Sequence, residues 1–536
     1  MPSTNWWQKA VIYQIYPRSF QDSNGDGVGD LAGILRRLPY LAELGVDAIW
    51  LSPIFRSPMQ DFGYDVADYC EIDPLFGTMA EFDALLKAVH AHELKLLLDL
   101  VPNHTSSDHP WFVESRSSRT NPKRNWYLWR DPATGGGVPN NWLSEFGGSA
   151  WSYDRATGQY YYHAFLASQP DLNWRNPEVR QAIHDVMRFW LRKGVDGFRI
   201  DVLWHLIKDD QFRDNPVNPD YRDGQPPHWR LLPTFTSDRP EVHDVVAGLR
   251  TVAKEFGDAL LIGEIYLPTP RLMAYYGQEL EGVQLPFNFS LLETSWHART
   301  IASLIDDYEA ALPPRSWPNW VLGNHDRPRI ATRVGQAQAR VAAMLLLTLR
   351  GTPTIYYGDE IGLEDSVLRA EDVCDPLGKR SSSLGRDGAR GPMLWDSTKY
   401  GGFSAVQPWC VQAARAEVIN VDVQKNEPSA LLNLYRRLIK ARRTNSSLAI
   451  GHYTPLVANG DVLLYMRRHL GCPAVLVALN LGDQPVAAVL RDKQMHGRVI
   501  VSVFADREGE IVRDAVDLRP DEGLVIELVR PSAGPG

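Results

Sequence analysis

Gly197-Phe198-Arg199-Ile200-Asp201-Val202 sets an arginine and an aspartate two residues apart inside an otherwise apolar run. Side chains two apart on a β-strand stand on one face. Charge near the end of an apolar strand is costly unless it is paired or put to use. The segment therefore reads as a buried strand that ends in a site, with Arg199 placed to keep the Asp201 carboxylate ionised. Seven further runs share its character: VIYQIY (11–16), VDAIWLS (46–52), LKLLLDLV (94–101), LLIGEI (260–265), VQLPFNF (283–289), NWVLGNH (319–325) and TPTIYYG (352–358). Between them lie amphipathic stretches at 31–44, 79–92, 177–193, 240–255 and 337–349 that read as helices. Two of these open on proline, which suits a first helical position because no N–H is needed there.

Alternation of strand and helix calls for a parallel sheet, and eight strands call for closure into a (β/α)8 TIM barrel, an α/β fold. An open doubly wound sheet would carry a Gly-rich phosphate turn after its first strand, and none is present. Two connections are too long for simple loops. Residues 105–173, rich in Trp, Tyr, Asn, Gly and Ser, are expected to form an inserted subdomain after strand 3, over the C-terminal face. Residues 365–430 form a second excursion after the eighth strand. A helix at 429–441 then closes the barrel. HYTPLV, DVLLYMRR, AVLVALNL, RVIVSVF and GLVIELV follow with turns between them and predict a C-terminal all-β domain, a small sandwich. The expected division is 1–104 with 174–450 for the barrel, 105–173 for the insertion, and 451–536 for the β domain.

Composition narrows the partners. The chain has 536 residues, and 56 Lys and Arg against 65 Asp and Glu leave a net charge of −9. No basic run is present, so neither nucleic acid nor an anionic membrane is the expected partner. The opening MPSTNWWQKA lacks the basic and apolar tracts of a signal peptide. The longest apolar stretch, 341–349, is far shorter than the ~20 residues a membrane span needs. A cytoplasmic protein is expected. The four cysteines, Cys70, Cys374, Cys410 and Cys472, show neither disulfide nor zinc spacing. Tryptophan is unusually frequent, its 17 copies equalling those of phenylalanine, so aromatic rings serve either a core or a ligand.

In a TIM barrel, chemistry collects at the C-terminal ends of the strands. Those ends supply Asp99, Asn103 and His104, then Arg199 and Asp201, then Glu264, then His325 and Asp326. Glycoside hydrolysis requires two carboxyl groups flanking one bond, and Asp201 and Glu264 come from neighbouring strands.

Four segments now coincide with one family: Asp99-Leu100-Val101-Pro102-Asn103-His104, Gly197-Phe198-Arg199-Ile200-Asp201, Gly263-Glu264 and Gly323-Asn324-His325-Asp326. In this order, each at a strand end, they resemble the α-amylase clan of glycoside hydrolases (glycoside hydrolase family 13), in its α-glucosidase and oligo-1,6-glucosidase branch. The resemblance covers nearly the whole chain. It implies Asp201 as nucleophile, Glu264 as general acid/base and Asp326 as the carboxylate that stabilises the transition state. His104, Arg199 and His325 would hold the sugar that is cleaved. Gln169-Pro170-Asp171-Leu172-Asn173 resembles the signature of the oligo-1,6-glucosidase branch. Asp61-Phe62-Gly63-Tyr64-Asp65 looks like the segment whose Tyr64 stacks on the terminal glucose. Asp61, with Arg390 of Arg386-Asp387-Gly388-Ala389-Arg390, would bind its outer hydroxyl and make the enzyme exo-acting. Phe165 is a candidate for the acceptor-side wall, with core packing equally open.

The resemblance has departures. Gly391-Pro392-Met393-Leu394-Trp395 lacks the usual Gln, and Arg327 stands where Gln is common. Val202, beside the nucleophile position, is frequent in members that favour α-1,6 bonds, while the Arg-Leu-Asp-Arg-Asp motif of sucrose isomerases is absent. The expected activity is a retaining exo-α-glucosidase on small neutral α-glucosides with transfer to hydroxyl acceptors. A glucosyl transferase or sucrose isomerase is the alternative. No organic cofactor is expected.

Away from the carboxylates, Asp22-Ser23-Asn24-Gly25-Asp26-Gly27-Val28-Gly29-Asp30 spaces oxygen donors as an EF-hand loop does, without the closing Glu at position twelve. In the branch it resembles, this loop holds a structural Ca2+ or Mg2+. The expected ligands are Asp22, Asn24, Asp26, the Val28 carbonyl and Asp30.

Overall fold

A computed structural model describes residues 4–380, 384–490 and 496–529. The first three residues of the N-terminal reading and the end of the expected β domain lie outside the described residues. All eight expected strands form: β1 Ile12–Ile15, β2 Ala48–Leu51, β3 Lys95–Leu100, β4 Gly197–Ile200, β5 Leu260–Gly263, β6 Leu285–Pro286, β7 Asn319–Val321 and β8 Thr352–Tyr356. They build one sheet in the order β6-β5-β4-β3-β2-β1-β8-β7, with every ladder parallel. Among the described residues no ladder joins β6 to β7, so the hydrogen-bonded ring has one seam. The seam falls beside the shortest strand, where Pro286 has no N–H to give.

Strand residues alternate as period two requires. Ile12, Ala48, Trp50, Leu97, Leu260, Ile262 and Leu285 pack together in the barrel interior. Tyr13, Ile49, Leu96, Phe198, Ile200 and Leu261 join the larger core shared with the helices. Arg199, lying between Phe198 and Ile200, is thereby turned inward.

The helices are α1 Leu31–Leu44, α2 Met79–Ala91, α3 Pro177–Lys193, α4 Val242–Lys254, α5 Ala298–Ala311, α6 Ile330–Thr348 and α7 Leu431–Thr444. Asp30 caps α1 by accepting from the Gly33 N–H, and Thr78 with Glu81 forms a capping box on α2. Three expectations shift. Helix α4 starts at Val242, so Pro240 precedes it. Helix α6 begins seven residues before the expected 337, interrupted at Gly335 (φ +80°), which marks the boundary that the hydrophobic pattern detects. Helix α5 is an addition to the expected set and supplies the link between β6 and β7.

The insertion after β3 contains a three-stranded antiparallel sheet, Trp129–Arg130, Gln159–Tyr162 and Trp151–Asp154. Among the described residues, the C-terminal region from His452 to Leu528 is one eight-stranded antiparallel sheet, not two separate sheets. It curls so that Leu476 and Ala478 of a central strand share a cluster with Val516 and Leu518 near one end.

Candidate active site

Arg199 is the hub of the strand ends. Its Nη1 donates to Asp99 Oδ1 at 2.8 Å and to Asp201 Oδ1 at 2.7 Å, while Nη2 meets Glu264 Oε2 at 2.8 Å. The guanidinium is buried and also faces the Trp50 ring at 5.2 Å. Asp201 and Glu264 thus sit on adjacent nitrogens of one cation, carried by neighbouring strands β4 and β5.

Three carboxyls share that single guanidinium. Burial is the leading influence and raises all three, and Arg199 opposes it in each; Glu264 adds to the rise of Asp99 and Asp201, and Asp326 to that of Glu264. Asp99 is pushed to about 6, and Asp201 lies well above the ordinary carboxylate value. Arg199 pulls the Asp201 carboxyl toward its ionised form, but that one charge is divided among three carboxyls, and burial with Glu264 and Asp99 holds Asp201 above its ordinary value. Glu264 is raised, as a general acid requires.

Asp326 differs. Burial pushes its value up, but His325, Arg386, Arg390 and Arg199 outweigh it and hold Asp326 well below the carboxylate range. Arg390 Nη2 donates to Asp326 Oδ1 at 2.9 Å, and its Nε donates to the His325 carbonyl at 2.8 Å.

His325 is held neutral, mainly by burial, at about 3. Gln14 Nε2 lies 2.9 Å from Nδ1, which leaves the proton on Nε2. That Nε2 meets Tyr64 Oη at 2.7 Å, and Tyr64 donates onward to Asp99 Oδ2 at 3.1 Å. The two rings are parallel, with centroids 5.3 Å apart. His104 Nε2 lies 3.0 Å from the Tyr64 carbonyl, and its ring is 5.3 Å from half-buried Phe165. Phe165 also lies 6.1 Å from Phe146 and 5.8 Å from His205, so it belongs to both an aromatic cluster and the pocket side.

The far end of the site is built differently from the sequence reading. Asp61 pairs with Arg386, whose Nη2 donates to Oδ1 at 2.7 Å; Arg390 is occupied with Asp326. Arg386 also reaches Asp326 Oδ1 at 3.4 Å and Asp375 Oδ1 at 2.7 Å. Its signal is present in the sequence, four residues before Arg390 in the same quoted segment. Gln169, the first residue of the branch motif, donates to Asp61 Oδ2 at 3.1 Å. Asp171 accepts from Asn103 Nδ2 at 2.8 Å and pairs with Lys208, which donates to Asn103 Oδ1 at 2.6 Å. Lys208 carries no sequence signal, since only the fold brings it beside Asn103.

Most tryptophans of the insertion serve its own core. Trp142 and Trp151 are buried against Tyr162, and Trp129 lies between Phe112 and Arg124. Trp50 sits on the barrel interior instead and donates to Asp99 Oδ2 at 3.2 Å. Trp320 is core.

In the loop after β1, Asp22 accepts from the N–H groups of Asn24, Gly25 and Gly27, and from Ser404 Oγ. Asn24 Oδ1 accepts from Asp26 N–H, Asp26 Oδ1 from Val28 N–H, and Asp30 Oδ2 from Ser23 N–H. The donor set is all oxygen, which suits a hard cation. Among the described residues no group of three or more His, Cys, Asp or Glu is gathered in metal-binding geometry.

Three carboxyls on one guanidinium, with a fourth carboxylate held ionised beside them, can protonate a leaving oxygen and supply a nucleophile. The model of the α-amylase catalytic domain matches residues 14–451. A probable α-glucosidase from Rhizobium meliloti (strain 1021) is 42% identical over 528 residues, with 95% of each chain covered. An oligo-1,6-glucosidase from Parageobacillus thermoglucosidasius is 35% identical, covering 98% of this chain and 99% of the relative. Among solved structures, the α-glucosyl transfer enzyme XgtA superposes with a TM-score of 0.93 at 40% identity, covering 98% of this chain and all of the other. The trehalulose synthase MutB from Pseudomonas mesoacidophila MX-45 gives 0.90 at 32% identity, with the same coverage. The chain belongs to the α-amylase family of glycoside hydrolases.

Proposed function

We propose that this enzyme is a retaining, exo-acting α-glucosidase that releases glucose from the non-reducing end of short α-glucosides. The observation that carries the reading is the Arg199 bridge, which places Asp201 Oδ1 and Glu264 Oε2 on one guanidinium at 2.7 and 2.8 Å. Asp201 attacks the anomeric carbon as the Glu264 proton passes to the departing oxygen, giving a glucosyl ester on Asp201. Glu264, now a carboxylate, takes a proton from water, and the water oxygen displaces Asp201 with retention. Asp326, kept anionic by Arg390 and Arg386, faces the positive charge that develops on the sugar.

Support for exo action comes from the Asp61–Arg386–Asp375 cluster and its link to Asp326, which block the far end with charged hydrogen-bonding groups. Proton NMR of maltose hydrolysis tests the proposal: free α-glucose appears first, and Asp201→Asn abolishes turnover. Initial β-glucose, or an active Asp201→Asn variant, would overturn it. Maltose, isomaltose, sucrose and trehalose compared at equal concentration set the linkage preference.

Transfer of glucose to hydroxyl acceptors is the second reading. It needs only a sugar hydroxyl in place of water at the second step, and the structural likeness to a glucosyl transfer enzyme favours it. A structural Ca2+ or Mg2+ in the loop at 22–30 is part of the same proposal, with Asp22, Asn24, Asp26, the Val28 carbonyl and Asp30 as its ligands. So is a cytoplasmic setting. No described helix is long and apolar enough to cross a membrane, and all four cysteines are free, which suits a reducing compartment.

A further inference from the structure

Val202, the residue after Asp201, is held at φ +36° and ψ 47°, a left-handed conformation in which a β-branched side chain is strained. Its effect on the chain is specific. Successive N–H groups of an extended strand point to opposite sides, whereas a turn brings them together. Here the Val202 N–H donates to Glu264 Oε2 at 2.8 Å, and the next N–H, of Leu203, donates to the Glu264 main-chain carbonyl at 3.2 Å. The Val202 carbonyl then accepts from His205 N–H, starting the short helix Leu203–His205. Two consecutive amides thereby clasp the side chain and the backbone of one residue on the neighbouring strand.

Glu264 Oε2 receives both the Val202 N–H and Arg199 Nη2, each at 2.8 Å. When the Glu264 carboxyl is protonated, an oxygen that already accepts two donors, one of them a cation, is its carbonyl-like oxygen. We propose that Val202 is a positioning residue for proton transfer. Its left-handed backbone keeps the 202 N–H on Glu264 Oε2, so that the exchangeable proton resides on Oε1 and is presented from a fixed orientation beside the nucleophile. This rests on Glu264 being the acid/base. In the first step the Oε1–H bond breaks and the proton goes to the glycosidic oxygen. That oxygen takes the electron pair of the breaking C1–O bond as an Asp201 oxygen bonds to C1. The role belongs to the backbone of residue 202 and is separate from any effect of its buried side chain on linkage.

The test replaces Val202 with its α-hydroxy acid, 2-hydroxyisovaleric acid, by nonsense suppression, which deletes the N–H and keeps the side chain. kcat/KM on maltose falls roughly ten- to hundred-fold. First-turnover fluoride release from α-glucosyl fluoride, whose leaving group needs little protonation, stays within about three-fold. The alkaline limb of the maltose pH profile moves up by about one unit, because the carboxylate form loses a donor. Equal losses on both substrates, or an unchanged maltose profile, overturn the proposal. Val202→Gly, which keeps the N–H and accepts a positive φ, retains the wild-type ratio between the two substrates; a loss confined to maltose would assign the effect to the side chain and overturn the proposal. A 15N-valine-labelled sample carries the test into the unaltered fold. The Val202 amide shift titrates with the alkaline limb, and a flat response overturns the clasp. Glu264→Gln separates this from the underlying reading: it abolishes maltose turnover and spares first-turnover fluoride release, and if maltose turnover persists, the acid/base assignment itself has failed.

Discussion

Asp61 and Arg386, 325 positions apart in the chain, form a 2.7 Å ion pair whose arginine also reaches Asp326. Asp61 comes from the connection after β2, and Arg386 from the excursion after β8. Their removal has distinguishable effects. Asp61→Ala raises KM for maltose, with kcat/KM reduced roughly ten- to hundred-fold, because a charge-assisted contact is lost. Arg386→Ala lowers kcat as well, since Asp326 loses one of its cations. Steady-state kinetics of the singles and the double check this. Additive effects would show that the two side chains act independently, contrary to the pair.

In the proposed mechanism Glu264 carries the alkaline limb of activity. Burial and Asp326 raise its value against the pull of Arg199, so activity declines only when the pH exceeds that raised value. Arg199→Lys supplies one compact cation in place of a fork, moving the limb upward and lowering kcat by at least about ten-fold. A pH profile identical to that of the wild type would contradict the bridge.

Lys208 and Asp171 are a buried ion pair beneath Asn103 and His104. Lys208→Met leaves Asp171 charged and without its cation, which costs about 3–5 kcal/mol. Lys208→Met with Asp171→Asn recovers part of that loss. Urea unfolding of the three variants measures it, and a single variant as stable as the wild type would refute a role for the pair in stability.

Asp359, buried just beyond β8, is pushed up to about 7 by burial, with Arg329 opposing and Glu360 adding to it. The folded state thus holds this proton more tightly than the unfolded chain. The resulting stability is present below the ordinary aspartate value of about 4 and is lost as pH rises through about 7. Asp359→Asn flattens the decline in Tm between pH 5 and 8 by at least about 2 °C. Thermal melts at both pH values decide, and an unchanged slope counts against the assignment.

Removing bound divalent ions tests the loop at 22–30. With EDTA the Tm falls by several degrees, and Ca2+ or Mg2+ restores it by mass action. Asp26→Ala abolishes the response. A Tm indifferent to chelation would leave the loop as a self-bonded turn.

The barrel strands are legible in the sequence because buried parallel strands are continuous apolar runs, as at 94–101 and 260–265. The carboxylates are legible because their motifs sit at strand ends. Helix α5 escapes that reading although its sequence is amphipathic, and β6 spans only Leu285–Pro286 of the expected run 283–289. The partner of Asp61 is hidden for another reason. Arg386 precedes and Arg390 ends one short helical turn, Asp387–Arg390, and sequence spacing does not reveal which of the two reaches Asp61. The tryptophans of the insertion are ambiguous because composition does not distinguish a ring packed on Phe112 from one facing a sugar.

Arg386 also bears on the order in which the protein becomes active. A ribosome delivers Asp61, Asp201, Glu264 and Asp326 well before residue 386. Until Arg386 arrives, Asp61, Asp326 and Asp375 lack the cation that binds all three, and their repulsion opposes closure of the pocket. Every catalytic carboxylate can thus be synthesised while the sugar site still lacks its outer wall. The emerging chain acquires its last pocket residue only after the eighth strand, so competence to act on substrate comes late in synthesis.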